Sequence, residues 1–193
     1  MSVRAALAGR GQAWEDVNSR GRGGLTCLMV AVDEGHEGVV DLLLQQLGCL
    51  VNLRDDGGGT ALHWACAGPG RAGMVARLVA RPGQRSLNVG DSSGSTPLML
   101  AVEEGDMDCV RILLRELARC GAGLDINVTD REGRTALMVA VANERTECVR
   151  ELVVVPGMDL HTRDRQGRGL EDLARWVGES RLVFTSRSCQ EEP

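Results

Sequence analysis

Aromatic side chains are almost absent from this chain of 193 residues, which has one Phe, three Trp and no Tyr. Lysine is absent altogether, so all 22 basic residues are arginines. Hydrophobic residues still make up 43% of the chain, which is enough to bury a core in a domain of this length. That core must be assembled from Leu, Val, Ala, Met and Cys, and such side chains suit thin layers of small helices.

Several classes of protein are disfavoured by what else is missing. No apolar run is long enough to cross a bilayer, and the N-terminal apolar segment is too short for a signal peptide. The seven cysteines form no CxxC pair, and their odd number does not indicate a disulfide framework. A net charge of −5 argues against a nucleic-acid partner, because such binding depends on neutralising phosphates. We therefore expect a reduced protein in the cytoplasm or nucleus, without membrane insertion.

No catalytic or metal-binding pattern is found in the sequence. His36-Glu37 is not followed by the second histidine that a zinc helix needs, because Val40 stands at that position. Adjacent acidic residues such as Glu103-Glu104 point in different directions on a helix, so a solvated face explains them better than an acid and base pair. The sequence predicts a protein that is not an enzyme and has neither cofactor nor metal.

The stretch Asn88–Leu114 shows how the chain is built. Residues 91–94 favour a turn, and Thr96 followed by Pro97 marks a helix start. Apolar residues then recur at helical spacing on both sides of Gly105. The segment is predicted to form a turn, a short helix, a tight break and a second helix.

This unit returns at intervals of 34 to 39 residues along the chain. In four places an Asn precedes a Thr by eight residues, and a related apolar run follows the Thr. A repeat of this period is the signature of a solenoid, in which each unit buries its apolar face against its neighbours. The four copies begin at Asn18, Asn52, Asn88 and Asn127, and a degenerate copy begins at His161.

The four copies resemble the ankyrin repeat, whose pattern is D-x-x-G-x-T-P-L-H-x-A-A, then x-x-G-H, then V-V-x-L-L-L. Here the runs are TCLMVAVDEGHEGVVDLLL, TALHWACAGPGRAGMVARLV, TPLMLAVEEGDMDCVRILL and TALMVAVANERTECVRELV. The resemblance implies an all-α solenoid in which each repeat contributes a β-hairpin-like loop, an inner helix and an outer helix. The expected boundaries are one domain over 1–184, with a partial cap over 1–17, four full repeats over 18–51, 52–87, 88–126 and 127–160, a degenerate cap over 161–184, and a disordered tail over 185–193.

Four departures from the family pattern lead to predictions. The histidine that in the family bridges adjacent loops survives only as His63, so three loop junctions need another source of rigidity. One extra residue at 68–70 predicts a looser break between the helices of repeat two. Glu144 replaces the break glycine of repeat four, which predicts a different turn or local strain. Extra residues around 81–83 and 119–123 predict longer loops after two outer helices.

The resemblance also implies which residues meet a partner, because in this family the residues after the A-A pair and those at the loop tips face the concave side. The expected partner-binding residues are Trp64, Leu100, Asp33, Glu34, Glu103, Glu104, Arg22, Asp56, Ser92, Ser93, Arg131 and Arg134. These residues predict an acidic floor in repeats one and three and an arginine-rich rim toward the C-terminal repeats, where Arg165 holds the last tip. A partner that is basic near repeats one to three and acidic near repeats four and five would fit.

One apolar residue per repeat holds the slot before the first Ala of the pattern. Together these residues form an apolar stripe beneath the groove, or they are core residues packed between repeats, and the sequence alone leaves both alternatives open. The four residues are Val30, Trp64, Leu100 and Val139.

The favoured function is a non-enzymatic protein–protein interaction module, acting as a monomeric adaptor, scaffold or inhibitor. The alternative is a substrate-recruiting or regulatory subunit of an enzyme complex such as a ubiquitin ligase. Its only hint is the absence of lysine, which a GC-rich coding sequence also explains. A third hypothesis is that Asn52 and Asn127 are hydroxylated, since they resemble sites that asparaginyl hydroxylases modify in this family.

Overall fold

The architecture is a two-layer stack of short helices, seen in a computed structural model that describes residues 17–46, 48–81, 87–119 and 125–176. Within those ranges the chain forms helices and turns and no strand. The helices are α1 (Cys27–Asp33), α2 (Glu37–Leu44), α3 (Ala61–Cys66), α4 (Ala72–Val79), α5 (Pro97–Glu104), α6 (Met107–Arg119), α7 (Ala136–Ala142), α8 (Thr146–Val153) and α9 (Leu170–Trp176), with a 3-10 turn at Arg22–Gly24. The predicted tail and nearly all of the N-terminal cap lie outside the described residues.

The inner helices begin at the threonines that the sequence indicates. The hydroxyls of Thr26, Thr96 and Thr135 accept hydrogen bonds from the backbone N–H three residues later, at 3.3, 3.4 and 3.3 Å. Each bond satisfies one of the N–H groups that the first helical turn leaves without a partner. The repeat period of the sequence is therefore also the period of the helix starts.

Helices of the same kind pack in rows. The inner row is α1, α3, α5, α7 and α9, the outer row is α2, α4, α6 and α8, and each of the first four inner helices also packs against the outer helix of its own repeat. The largest fully buried side chains are those of Met29, Leu62, Leu78, Leu113, Leu137, Met138, Leu152, Val32, Val40, Val75, Val102 and Val110. The predicted all-α repeat solenoid is confirmed, and no aromatic residue is among the buried hydrophobic residues of the described ranges.

The last three loops are closed by the same geometry around an aspartate. The N–H of Asp91 donates to the carbonyl of Ser95 at 3.0 Å, and the Asp91 carboxylate accepts from the N–H groups of Ser93 and Ser95 at 2.7 and 2.9 Å. Asp130 and Asp164 form the same backbone and carboxylate bonds in the next two loops. These bonds turn the hairpin without a regular strand.

Neighbouring loops are joined by a ladder of backbone hydrogen bonds. At each of the four junctions, an N–H group at the tip of one loop donates to a carbonyl at the tip of the preceding loop. We call these four bonds the tip ladder. The pairs are Asp56 to Gly23 at 3.0 Å, Ser92 to Gly57 at 2.7 Å, Arg131 to Ser93 at 2.9 Å and Arg165 to Glu132 at 2.8 Å. The ladder supplies the rigidity that the sequence required at the junctions without a histidine.

His63 adds a side-chain bridge between the second and third loops. Its Nδ1 accepts from the N–H of Thr60 at 3.1 Å, so Nε2 carries the proton and donates to the carbonyl of Ser95, 3.2 Å away. Burial lowers the pKa of His63 below its ordinary value. The bridge therefore depends on the neutral imidazole.

We expect this histidine to make the stability of the fold depend on pH. Because the folded protein disfavours protonated His63, the free energy of unfolding should fall as the pH drops below about 6.5, with a slope of at most about 1.4 kcal/mol per pH unit. His63→Met, which installs the residue found at positions 29, 99 and 138, should flatten that slope in urea unfolding between pH 7 and 5. Replacing the exposed His36 by Gln is the control, and an unchanged slope in His63→Met would contradict the assignment.

The break in repeat four keeps the shape of the glycine breaks. Glu144 has a φ of 57°, in the left-handed region, where Gly35 and Gly105 of the other repeats have φ of 75° and 77°. The N–H of Arg145 donates to Ala140 as the N–H of His36 donates to Ala31, both at 2.9 Å. Of the two predicted alternatives the different turn is wrong, and local strain is what the structure shows.

The break in repeat two has its predicted extra residue but is not left loose. Arg71, at the start of α4, donates from Nη1 to the carbonyl of Trp64 at 2.7 Å and from Nη2 to the carbonyl of Asp33. Its guanidinium occupies the space where a Cβ on Gly68 would lie. The arginine side chain ties the longer break to its own repeat and to the preceding one.

Part of the extra length in repeat three is helix rather than loop. The helix α6 (Met107–Arg119) has 13 residues, whereas α4 (Ala72–Val79) has 8. Residues 82–86 and 120–124, where the sequence predicts the rest of the insertions, lie outside the described residues. The proposed repeat boundaries themselves stay a prediction.

Candidate protein-binding surface

Five exposed acidic residues lie at or just beyond the C-terminal ends of inner helices. Asp33 and Glu34 end α1, Glu103 and Glu104 end α5, and Glu144 follows α7. We call these five residues the acidic ledge. Glu144 was not among the sequence-predicted site residues. A signal existed, because Glu144 aligns with Gly35 and Gly105, which directly follow the predicted residues Glu34 and Glu104.

The carboxylates of the ledge are only partly neutralised. Asp33 Oδ1 lies 3.4 Å from Nη2 of Arg71, and Glu34 Oε2 lies 3.1 Å from Nε2 of His36. Within the described ranges, the carboxylates of Glu103, Glu104 and Glu144 form neither an ion pair nor a hydrogen bond. Three of the five negative charges are thus open to a binding partner.

The position of the ledge makes its charge unfavourable for folding. The C-terminal end of a helix carries a partial negative charge, so an acidic side chain there costs about 0.3–1 kcal/mol instead of stabilising the helix. Two nearby arginines, Arg71 and Arg145, donate hydrogen bonds to backbone carbonyls at these helix ends, but they do not pair with all of the carboxylates. Arg145 donates from Nε and Nη2 to the carbonyl of Glu103 at 3.0 and 2.6 Å, as Arg71 does to that of Asp33.

The apolar stripe is divided between the core and the surface. Val139 is buried, with 4% of its surface exposed, while Val30, Trp64 and Leu100 are half-buried. Trp64 and Leu100 pack against the core, and the indole N–H of Trp64 donates to Asp55 Oδ2 at 2.7 Å. Trp64 therefore stabilises the loop of its own repeat through this hydrogen bond, and part of its side chain remains exposed to solvent on the inner row.

The predicted loop-tip residues are exposed, with one exception. Arg22, Asp56, Ser92, Ser93 and Arg131 all lie at the surface. Arg134 is instead half-buried, because its guanidinium pairs with Asp130 Oδ2 at 2.8 Å and with Glu132 at 3.3 Å. The structure thus gives Arg134 an internal partner and leaves the other tips in solvent.

Loop asparagines fasten the start of a repeat to the end of the same repeat. The amide of Asn127 donates to the carbonyl of Gly157 and its oxygen accepts from the N–H of Asp159, both at 2.8 Å. Asn18 makes the same pair of bonds with Gly48 and Leu50, at 2.7 and 2.9 Å. The hydroxylation of Asn52 and Asn127 stays a prediction.

The potential metal ligands of the described ranges are dispersed, and two buried cysteines are held as thiols. Among the described residues, no group of three or more His, Cys, Asp or Glu side chains could hold a metal ion. Burial raises the pKa of the Cys66 thiol well above its ordinary value and that of Cys109 to about 12, which disfavours the thiolates that act as nucleophiles. The helices of the described ranges include none that is long and apolar enough to cross a membrane.

Two rows of stacked helices and a ladder of hairpin tips define a helical repeat solenoid. The family model described as "Ankyrin repeats (3 copies)" matches residues 3–86 and 71–164. The chain belongs to the ankyrin repeat family, as the sequence motifs indicated.

Curated relatives share this repeat region. "Target of rapamycin complex 2 subunit AVO2" of Saccharomyces cerevisiae is 36% identical over 93 residues, 48% of this chain and 21% of that protein. Human "Ankyrin repeat domain-containing protein 63" is 39% identical over 113 residues, 56% of this chain and 29% of that protein. Mouse "Protein fem-1 homolog A-like" is 33% identical over 106 residues, 55% of this chain and 15% of that protein. The matched regions span less than a third of each relative.

Proposed function

We propose that the chain is a non-enzymatic protein-interaction module that binds a protein or peptide along its inner helices and loop tips, as an adaptor, scaffold or inhibitor. Membership of the ankyrin repeat family supports protein binding in general. The observation that carries the proposal is the acidic ledge, whose charges oppose the helix dipoles and are mostly unpaired. A feature that costs stability and is for the most part without an internal partner is best explained by an external one.

The chemistry of the ledge indicates the partner. Carboxylates beside the negative ends of helices attract cations, so the matching segment of the partner is basic. Charge of this kind mainly sets the rate and register of association, while apolar contacts supply affinity. Trp64 and Leu100, half-buried on the inner row, are the apolar residues that such a segment would cover, and Trp is enriched at binding hot spots.

The alternative is a subunit of a larger enzyme complex. One relative is named as a subunit of target of rapamycin complex 2, which supports assembly into a complex without assigning that complex to this chain. A role in recruiting ubiquitin-ligase substrates rests only on the absence of lysine. Both proposals describe a monomeric cytoplasmic or nuclear protein whose partners are proteins and not nucleic acids.

We expect removal of charge from the ledge to separate binding from stability. In Glu103→Gln/Glu104→Gln, capture of the natural partner from cell extract should fall about five- to tenfold, because two exposed ionic contacts are lost. The same variant should unfold at a higher temperature, because two unfavourable charge–dipole interactions disappear. Quantitative mass spectrometry of captured proteins and thermal unfolding measure the two effects.

The matched control removes the same charge from the opposite ends of helices. Glu147 and Glu171 are exposed residues in the first turns of α8 and α9, where a negative charge stabilises the helix. Glu147→Gln/Glu171→Gln should therefore bind the partner normally and unfold at a lower temperature. Equal capture by both variants would refute the ledge as the binding site.

A further inference from the structure

The tip ladder places one residue of each loop in the same position. Arg22, Asp56, Ser92, Arg131 and Arg165 each follow the first residue of their turn. The last two are neighbours, since the N–H of Arg165 donates to the carbonyl of Glu132, the residue after Arg131, at 2.8 Å. Their side chains therefore start from equivalent points on adjacent, mutually fastened turns.

The other arginines of these two loops already have hydrogen-bond or ion-pair partners within the chain. Arg134 and Arg168 each pair with the aspartate four residues earlier, with Nη2–Oδ2 distances of 2.8 and 2.7 Å. Arg163 donates to the carbonyl of Gly167 at 2.8 Å and lies 3.6 Å from Asp172. The first two of these arginines neutralise the buried aspartates of the turns.

By contrast, the guanidinium groups of Arg131 and Arg165 have no hydrogen bond or ion pair with any described residue, and both side chains are exposed. Glu132, the residue after Arg131, already pairs with Arg134. Two exposed cations without a described partner thus stand on adjacent loop tips of a chain with a net charge of −5.

We propose that Arg131 and Arg165 form a two-point clamp for an acidic peptide segment, with one carboxylate bound by each guanidinium. Packed helices lie about 8–10 Å apart, and an extended chain in the polyproline II conformation has three residues per turn with a rise of about 3.1 Å per residue, so acidic residues three positions apart lie on one face and match neighbouring tips. Arg is suited to this role, because its planar donors bind a carboxylate in a bidentate manner. The inference rests on the proposed function in that it assigns a second contact of the same protein-binding surface.

The clamp also gives the bound partner a direction. An acidic segment is repelled by the ledge at α1 and α5 and attracted to the last two tips, whereas a basic segment has the opposite preference. Charge therefore favours the orientation in which a partner that carries both segments has its basic segment at α1 and α5 and its acidic segment at the last two tips, with Glu144 as the one ledge residue in the repeat of Arg131.

The test uses the full chain and a fluorescein-labelled peptide that has Glu at every third position and Gly or Ser elsewhere. Fluorescence anisotropy at low salt should show binding that falls about five- to twentyfold in Arg131→Gln/Arg165→Gln. The control Arg20→Gln/Arg22→Gln removes the same charge from exposed arginines at the first loop and should change the affinity less than about twofold. Since all four side chains are exposed, unchanged unfolding temperatures verify that both variants are folded.

Three results would overturn the clamp: no binding of the acidic peptide, equal loss in both double variants, or tighter binding of an oligothymidylate than of the peptide. The last result would assign the arginines to a nucleic acid. In each case the proposed function would still stand if the wild type captured its natural partner and if Glu103→Gln/Glu104→Gln reduced that capture. Conversely, peptide binding through the arginines with no effect of the ledge would refute the ledge alone.

Discussion

Gly94→Ala should destabilise the solenoid by more than about 3 kcal/mol. Gly94 has a φ of 78°, which costs an L-residue with a side chain about 1–2 kcal/mol. A Cβ there would also lie 2.8 Å from the backbone N of Arg131 and 3.1 Å from the carbonyl carbon of Asp130. Since both atoms are backbone of the next loop, the substitution should force two tips apart and break the bond from Arg131 to Ser93.

The last loop offers a matched control for that effect. Gly167 has the same place in its turn and a φ of 75°, but no described atom lies within 4 Å of the position that a Cβ on it would take. Gly167→Ala should therefore cost only the conformational term of about 1–2 kcal/mol. Urea unfolding of both variants isolates the contribution of packing between loops, and equal losses would show that the tips do not hold each other.

Asp130→Ala should cost about 3–5 kcal/mol, because it breaks a buried ion pair and leaves its partners unsatisfied. The Asp130 side chain is 3% exposed. Its carboxylate accepts from the N–H groups of Glu132 and Arg134 at 2.8 and 2.9 Å, and from Arg134 Nε at 2.9 Å. Asp130→Asn keeps one oxygen for the two backbone donors and should lose less, about 1–3 kcal/mol. Thermal and urea unfolding measure the series.

An exposed aspartate provides the comparison. Asp33 is 52% exposed at its side chain, with a single distant contact to Arg71, so Asp33→Ala should change the free energy of unfolding by less than about 0.5 kcal/mol. If Asp130→Ala behaved like Asp33→Ala, the carboxylate would be dispensable and the turn would be held by its backbone bonds alone.

The fold was predictable from local signals that agree with one another. The threonine before each apolar run, the aspartate and glycine of each turn, and the helical spacing of Leu and Val all repeat with one period. Such agreement specifies inner and outer helices without knowledge of the contacts between them. The end of α6 was not predicted, because the residues from 115 to 119 continue a helix that the family pattern ends at Leu114.

The proposed binding surface was predictable only in part. The acidic floor follows from position in the pattern, whereas the division of the arginines into free and paired ones depends on side-chain contacts. A signal did exist, since Arg134 and Arg168 each stand four residues after the turn aspartate, where the other loops have Gly59 and Ser95. The roles of Arg71 and Arg145 had no such signal, because each acts on a carbonyl of the preceding repeat about forty residues away.

The tip ladder has a consequence for the thermodynamics of association. When a surface loop becomes ordered on binding a partner, the lost conformational entropy weakens the complex. Here each tip is already fixed to its neighbour by a backbone bond of 2.7 to 3.0 Å, so the row of tips is preorganised before the encounter. The conformational entropy that complex formation costs is then lost mainly by the partner. Constraining a flexible peptide in its extended form should therefore raise the affinity more than stiffening the loops of the solenoid would.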